Sequence, residues 1–518
     1  MSTAFQPIQI PPGVFSTPTK RMRSSNWAEV NLMRWVEGRL SPVGGQAQYP
    51  YSFASRCKTI HGWYGLDGAY RVAYLCEQNL YVDQGGVLTD ISPVPPLASP
   101  SPSGSGGYGD GVYSDGSYQY GEPPPTSTIQ ALDKVPDAWS LDNMGAILYA
   151  MTSPDGRLLK WDPAVDTIAV VQPADAGRGP VPGGNCFVIT NERFLMIFGA
   201  TAAGGALNRF AWCDQENPGA WDFASVTSQA GFLDVEPASP IICALTTRNG
   251  ILFWSAKKAY LSQFLGLPYV YNYVELANNC TPWSSESVVA TSSMAIWMSQ
   301  QGVFSFDGTS IMPILCRVRV WIEDDIDPLN VREQACMVHV GNFNEVWWFF
   351  PQNGQPYNTR VAIYNYKEGW WSQGQMARSA GITASYTSHT VMADGLIPYQ
   401  HEASDVYPTS VPLPWAESFD LNLNSGARLT TFKQMIPDVD GDINNLRYSL
   451  FYRNSRSVAN GVPVIELQTP LQPVRTDGYV DFRTTGRDIR LRITLAGPQV
   501  LPVTVGQHLV DSVPRGDR

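Results

Sequence analysis

Positive charge, histidine and long apolar runs are all scarce in this 518-residue sequence. Lys and Arg number 35 against 46 Asp and Glu, only five residues are His, and charged residues make up 16% of the chain. An average soluble domain carries about 25%. The deficit of cations is local: residues 1–50 carry a net +3 and residues 415–518 a net +1, whereas residues 51–414 carry −15. Duplex affinity comes from Lys and Arg neutralising phosphates, so a body of this sign argues against a grip on nucleic acid. No apolar run approaches the roughly 18–20 residues that span a bilayer. The longest are short stretches such as Val346-Trp-Trp-Phe-Phe350, and no membrane span is expected. The N-terminus lacks the basic and apolar segments of a secretory signal, so export by that route is not indicated. The eight cysteines, at 57, 76, 186, 213, 243, 280, 316 and 336, contain no C-x-x-C pair. That spacing fits neither a zinc ribbon nor a redox motif. Buried free thiols in a reducing cytosol are the expectation, and disulfides the alternative.

What the sequence has is strand and turn material: 45 Gly, 40 Pro, 16 Trp, 24 Tyr and 20 Phe, within 44% apolar residues. Wholesale disorder and an all-helical fold are both excluded. Residues 1–50 read as an extended arm, with Pro at 7, 11, 12, 18, 42 and 50 and one short element within Trp27 to Glu37. From Tyr51 on, apolar stretches of four to eight residues recur between Gly, Asn, Asp and Pro, the pattern of strands and hairpins. Several end alike: an apolar strand runs into an acidic turn in Asn79-Leu-Tyr-Val-Asp-Gln-Gly-Gly86, Arg157-Leu-Leu-Lys-Trp-Asp-Pro163 and Gly302-Val-Phe-Ser-Phe-Asp-Gly308. Tyr81, Leu159, Ala211, Tyr260, Phe304 and Ile363 serve as equivalent points of this unit. Their spacing is about 40–50 residues once an insertion is removed, a period that propeller blades give.

The expected fold is therefore all-β, a β-propeller of six or seven irregular blades over residues 51–414. A set of unrelated strands in two sandwiches is the alternative. A small β-sandwich domain is expected over residues 415–518, where Asp488-Ile-Arg-Leu-Arg-Ile-Thr494 alternates strictly, as a half-buried strand does. The insertion at 93–128 holds eight Pro, seven Gly, seven Ser and four Tyr and no Lys or Arg. It is read as a long loop. Its Gly104-x-Gly106-x-x-Gly109 lacks the strand and helix that a dinucleotide site needs.

Motifs with chemistry are few. His401-Glu402 starts an H-E-x-x-H string but position 405 is Asp, so a zinc protease reading fails. Asp438-Val-Asp-Gly-Asp442 departs from a calcium loop in its glycine and in Ser449, leaving an acidic turn. Glu323, Asp324, Asp325 and Asp327 beside Trp321 have the composition of a glycosidase site, though such enzymes take their two acids from separate strands. Trp347, Trp348, Trp370 and Trp371 read as core rather than as a sugar platform. No enzyme, metal or cofactor is expected.

Three stretches together resemble the tail nozzle or hub proteins of short-tailed bacteriophages, built around a β-propeller. They are Pro11-Pro-Gly-Val-Phe15 with Trp27-x-x-x-Asn31-Leu-Met-Arg34-Trp35-x-x-Gly38; Gly107-Tyr-Gly-Asp-Gly111 with Tyr113 and Tyr118; and Arg483-x-x-Gly486-Arg487 leading to the C-terminal strands. The resemblance implies a virion protein forming a homo-oligomeric ring of six. That ring would join the portal and adaptor side of the neck and the tail fibres or spikes, and its acidic channel would conduct double-stranded DNA during ejection without binding it. Tyr108, Asp110, Tyr113, Asp115 and Tyr118 are then candidates for a channel gate, and Trp27, Asn31, Arg34 and Trp35 for subunit contacts. The alternative is a receptor-binding propeller that binds or degrades host glycans.

Overall fold

The computed structural model describes residues 5–16, 26–100, 135–201, 207–383, 389–421, 429–453, 466–499 and 502–515. Seven successive segments each form a four-stranded antiparallel meander. The first runs through Cys57–Tyr64, Tyr70–Cys76, Leu80–Gln84 and Val87–Asp90. The second to sixth begin at Trp139–Met144, Cys186–Ile189, Ile241–Thr247, Val288–Ala290 and Cys336–Val340. The seventh holds Ala380–Ile382, Val391–Ala393 and Pro398–Ser404, and its outer strand, Gly45–Gln48, comes from the N-terminal part of the chain. The six equivalent points of the repeat all fall on the third strand of successive meanders. First strands neighbour one another in order, and Ala380–Ile382 lies against Cys57–Tyr64.

Strand-strand hydrogen bonding stops at the edge of each sheet. The described strands form ten separate antiparallel sheets of four to six strands, none closed on itself. The expectation of a β-propeller of six or seven irregular blades, a separate C-terminal β-sandwich and an extended N-terminal arm is corrected to this arrangement. A period of 40–50 residues reports where each meander turns; it carries no information on how the sheets assemble. The terminal segments illustrate this most clearly. Trp27–Asn31 pairs with Trp415–Ser418, Arg39–Pro42 with Val503–Val505, and Gln6–Ile8 with His508–Pro514. Both ends of the chain thus share the same three sheets.

Packing follows from meanders stacked with both faces covered, which demands runs of apolar residues rather than alternation. Glu345–Pro351 is buried at every position. Trp348 donates to Ser287 Oγ at 3.0 Å on one side of that strand, while Trp347 meets the His401 ring edge-on at 5.7 Å on the other. Trp254 and Trp297 meet across the fourth and fifth meanders at 5.1 Å. The strand Asp488–Leu495 alternates as its sequence requires, burying Ile489, Leu491 and Ile493. No helix of the described residues is long and apolar enough to cross a membrane.

Candidate functional site

The residues singled out from the sequence are dispersed. Tyr108, Asp110, Tyr113, Asp115 and Tyr118 lie outside the described residues. Trp27, Asn31, Arg34 and Trp35 are all buried. Asn31 donates to the Leu413 carbonyl at 3.0 Å and accepts from the Gln375 amide at 2.7 Å. Arg34 bridges Glu345 at 3.2 Å and Glu402 at 2.7 Å beneath the Phe343 ring. Three of the four carboxylates of 323–327 take separate structural roles. Glu323 pairs with Arg319 and Asp325 with Arg360, while Asp327 accepts from the Leu329, Asn330 and Gly354 amides. Burial alone would raise the Asp327 pKa, but those amides hold it below the ordinary value. His401 accepts from Arg378 at 3.0 Å in a buried setting. Asp442 and Asp438 accept from the Asn444 and Gln507 amides. Among the described residues no group of three His, Cys, Asp or Glu side chains could hold a metal.

A different constellation lies where the first strands of the first five meanders converge. They line an open cleft of about 430 Å³ that includes Thr59, His61, Ser140, Asp142, Cys186, Cys243, Ser285 and Glu286. Neighbouring strands place these side chains together because successive residues alternate between the two faces of a sheet. Asp142 accepts from the Ile189 amide at 3.0 Å and the Asn143 amide at 2.8 Å. His61 shares a 2.8 Å hydrogen bond with Asn143 Oδ1, stands 4.0 Å from Asp142 and stacks on Trp63. Burial raises the Asp142 pKa, against the opposing pull of His61 and the two amides.

Glu286 follows two serines at the entry to the fifth meander, and its backbone carbonyl accepts from the Met337 amide at 2.8 Å. Desolvation pushes its carboxyl up to about 8, although Trp139, Lys58, Thr59 and Ser285 all favour the charged form. Lys58 stands behind it, buried, within 3.1 Å of Gln334 Oε1 and 3.5 Å of Glu77, and burial lowers its pKa. The cleft cysteines are poor nucleophiles: burial pushes Cys186 up to about 12 and Cys243 well above its ordinary value.

None of Lys58, His61, Asp142 or Glu286 stands in a sequence motif. The available signal was slight: isolated titratable residues inside strands otherwise made of apolar and hydroxyl side chains.

No family model and no curated protein matches the chain. Solved structures match at low similarity. The extracellular domain of a one-component system from B. thetaiotaomicron shares 11% identity at a TM-score of 0.38, over 79% of this chain and 43% of that one. Virginiamycin B lyase from Staphylococcus aureus, an inactive form with quinupristin, shares 8% at 0.32, over 56% of this chain and 93% of the other. Exo-beta-1,3-galactanase from Phanerochaete chrysosporium shares 7% at 0.24, over 72% and 95%. Similarity of this order assigns no activity. The resemblance to phage tail nozzle proteins, which are built around a β-propeller, is corrected: the described strands form ten separate sheets, none closed on itself. The hexameric DNA-conducting ring falls with it, because the propeller that would form its channel is not there among those sheets. Nothing in the geometry of the cleft is specific to glycans either.

Proposed function

We propose that the chain is a non-enzymatic binding scaffold, and that the cleft on the converging first strands holds a small ligand carrying a basic nitrogen. The observation that carries this reading is Glu286, a carboxyl held protonated up to about 8 in a cleft shared with Asp142. Lys58 does not outweigh the cost of burial at Glu286, and a carboxyl so desolvated takes either a proton or an entering cation. Thr59, Ser140 and Ser285 supply hydroxyls to orient such a ligand, as small-molecule sites require. Thiols as basic as Cys186 and Cys243 support binding rather than covalent catalysis.

Calorimetric titration with cadaverine and agmatine, in buffers of different ionisation enthalpy, tests the reading. Binding should release a proton below about pH 8 and strengthen by up to tenfold per pH unit from 6 to 7.5, because each charged amine displaces the Glu286 proton. Glu286→Gln should remove that pH dependence. Absence of binding, or affinity indifferent to both pH and Glu286, would overturn the proposal.

A further inference from the structure

Cys57 and Cys76 face each other across the first two strands of the first meander, as direct partners in the antiparallel register. Their amides do not bond to one another: Cys57 donates to the Gly395 carbonyl at 2.7 Å and Cys76 to the Asn79 carbonyl at 2.8 Å. The pair exchanges no backbone hydrogen bond and stands beside a register shift between Cys57 and Thr59; residues opposed in an antiparallel ladder have Cα atoms about 4.5–5.5 Å apart. That spacing falls within the roughly 4.4–6.8 Å that a disulfide bridges. Both side chains are fully buried in one apolar cluster with Phe53, Tyr74 and Tyr81. The two thiols interact directly, which adds to the burial that raises the Cys76 pKa.

We propose that Cys57 and Cys76 form a cross-strand disulfide when the chain folds in an oxidising environment, a modification site at the seam between the first and seventh meanders. The seam is defined by the Cys57 backbone itself, whose carbonyl accepts from Ser379 Oγ at 2.6 Å while its amide reaches Gly395. The oxidant is a small disulfide such as oxidised glutathione. One cysteine loses its proton to solvent and its thiolate attacks the glutathione disulfide, expelling one glutathione thiolate. The second cysteine, also deprotonated, then attacks the mixed disulfide and expels the other. Two S–H bonds become one S–S bond, and one oxidised glutathione becomes two reduced molecules. Burial makes thiolate scarce in the finished fold, so the exchange belongs to the stage at which the sheet is closing. Once formed, the bond is shielded from reductants.

The test is to denature and reduce the full chain, refold it with glutathione redox buffer or with excess thiol, alkylate it in denaturant and map peptides without reduction. A chain that does not refold is instead synthesised in a cell-free system in the same two buffers. The expected result is a Cys57–Cys76 linked peptide in most of the chain from redox buffer, lighter by two hydrogen atoms than the free pair. Cys186, Cys243 and Cys336 should remain alkylated, and the oxidised chain should unfold at a higher temperature than the reduced one. Cys57→Ser, and separately Cys76→Ala, should leave the remaining partner fully alkylated. Full alkylation of both cysteines in a folded chain from redox buffer would overturn the proposal, as would pairing of Cys57 with any other cysteine.

Discussion

Glu286 makes the pH behaviour of the fold a measurable property of one residue. Its folded pKa of about 8 lies above the ordinary carboxylate value, so the native state holds a proton that the unfolded chain gives up at lower pH. Stability from this group is full below about pH 4.5 and is lost as pH rises through 8. The side chain keeps part of its surface open to the cleft, so only part of the full linkage should be realised, about 1–3 kcal/mol. Urea unfolding of wild type and Glu286→Gln between pH 5 and 8.5 checks this. The wild type should lose that amount relative to the variant, whose profile should be flatter. A second buried group works in the opposite sense. Burial drops His508 to about 4, so its contribution is present above about 6.5 and is lost on acidification towards 4. His508→Phe should reduce acid sensitivity over that interval, read by the same unfolding series extended down to about pH 4.

At the scale of elements, the outer strand of the seventh meander shows what a single glycine permits. A Cβ on Gly45 would stand 2.3 Å from the Ser404 carbonyl oxygen and 2.6 Å from the Val406 amide. Both are backbone atoms and cannot swing aside, so Gly45–Gln48 can approach Pro398–Ser404 only with glycine there. Gly45→Ala should cost roughly 3 kcal/mol or more in urea unfolding. Amide exchange should accelerate first in Gly45–Gln48 and Pro398–Ser404, whereas a uniform change over all seven meanders would contradict this account. The strands themselves were readable from the sequence, since Asp488–Leu495 alternates and Glu345–Pro351 does not, and each follows the number of faces it buries. The pairing of Gly45–Gln48 with residues some 350 positions away was not readable, because a short polar stretch fits many edges equally well.

The whole molecule is closed by its two ends. Strands from residues 27–48 complete sheets otherwise built from residues 380–404, 415–495 and 503–505. Arg34 adds a buried ionic tie to Glu345 and Glu402. A fragment of residues 415–518 should therefore lack cooperative thermal unfolding by circular dichroism. Mixing it with residues 1–414 should restore a sigmoidal transition. Independent cooperative folding of the fragment would show that the terminal sheets do not need the N-terminal strands.

The sequence by itself determined the all-β character and the repeat of about 40–50 residues. These follow from local alternation, turn residues and the scarcity of charge, all of which act over a few neighbouring residues. Only the tertiary structure decided that the strands divide into ten sheets, that the supposed arm is woven into the C-terminal sheets, and that Glu286, Asp142 and His61 gather at one cleft. These depend on contacts between residues far apart in the chain. Their energies come from burial and register, which no local pattern records.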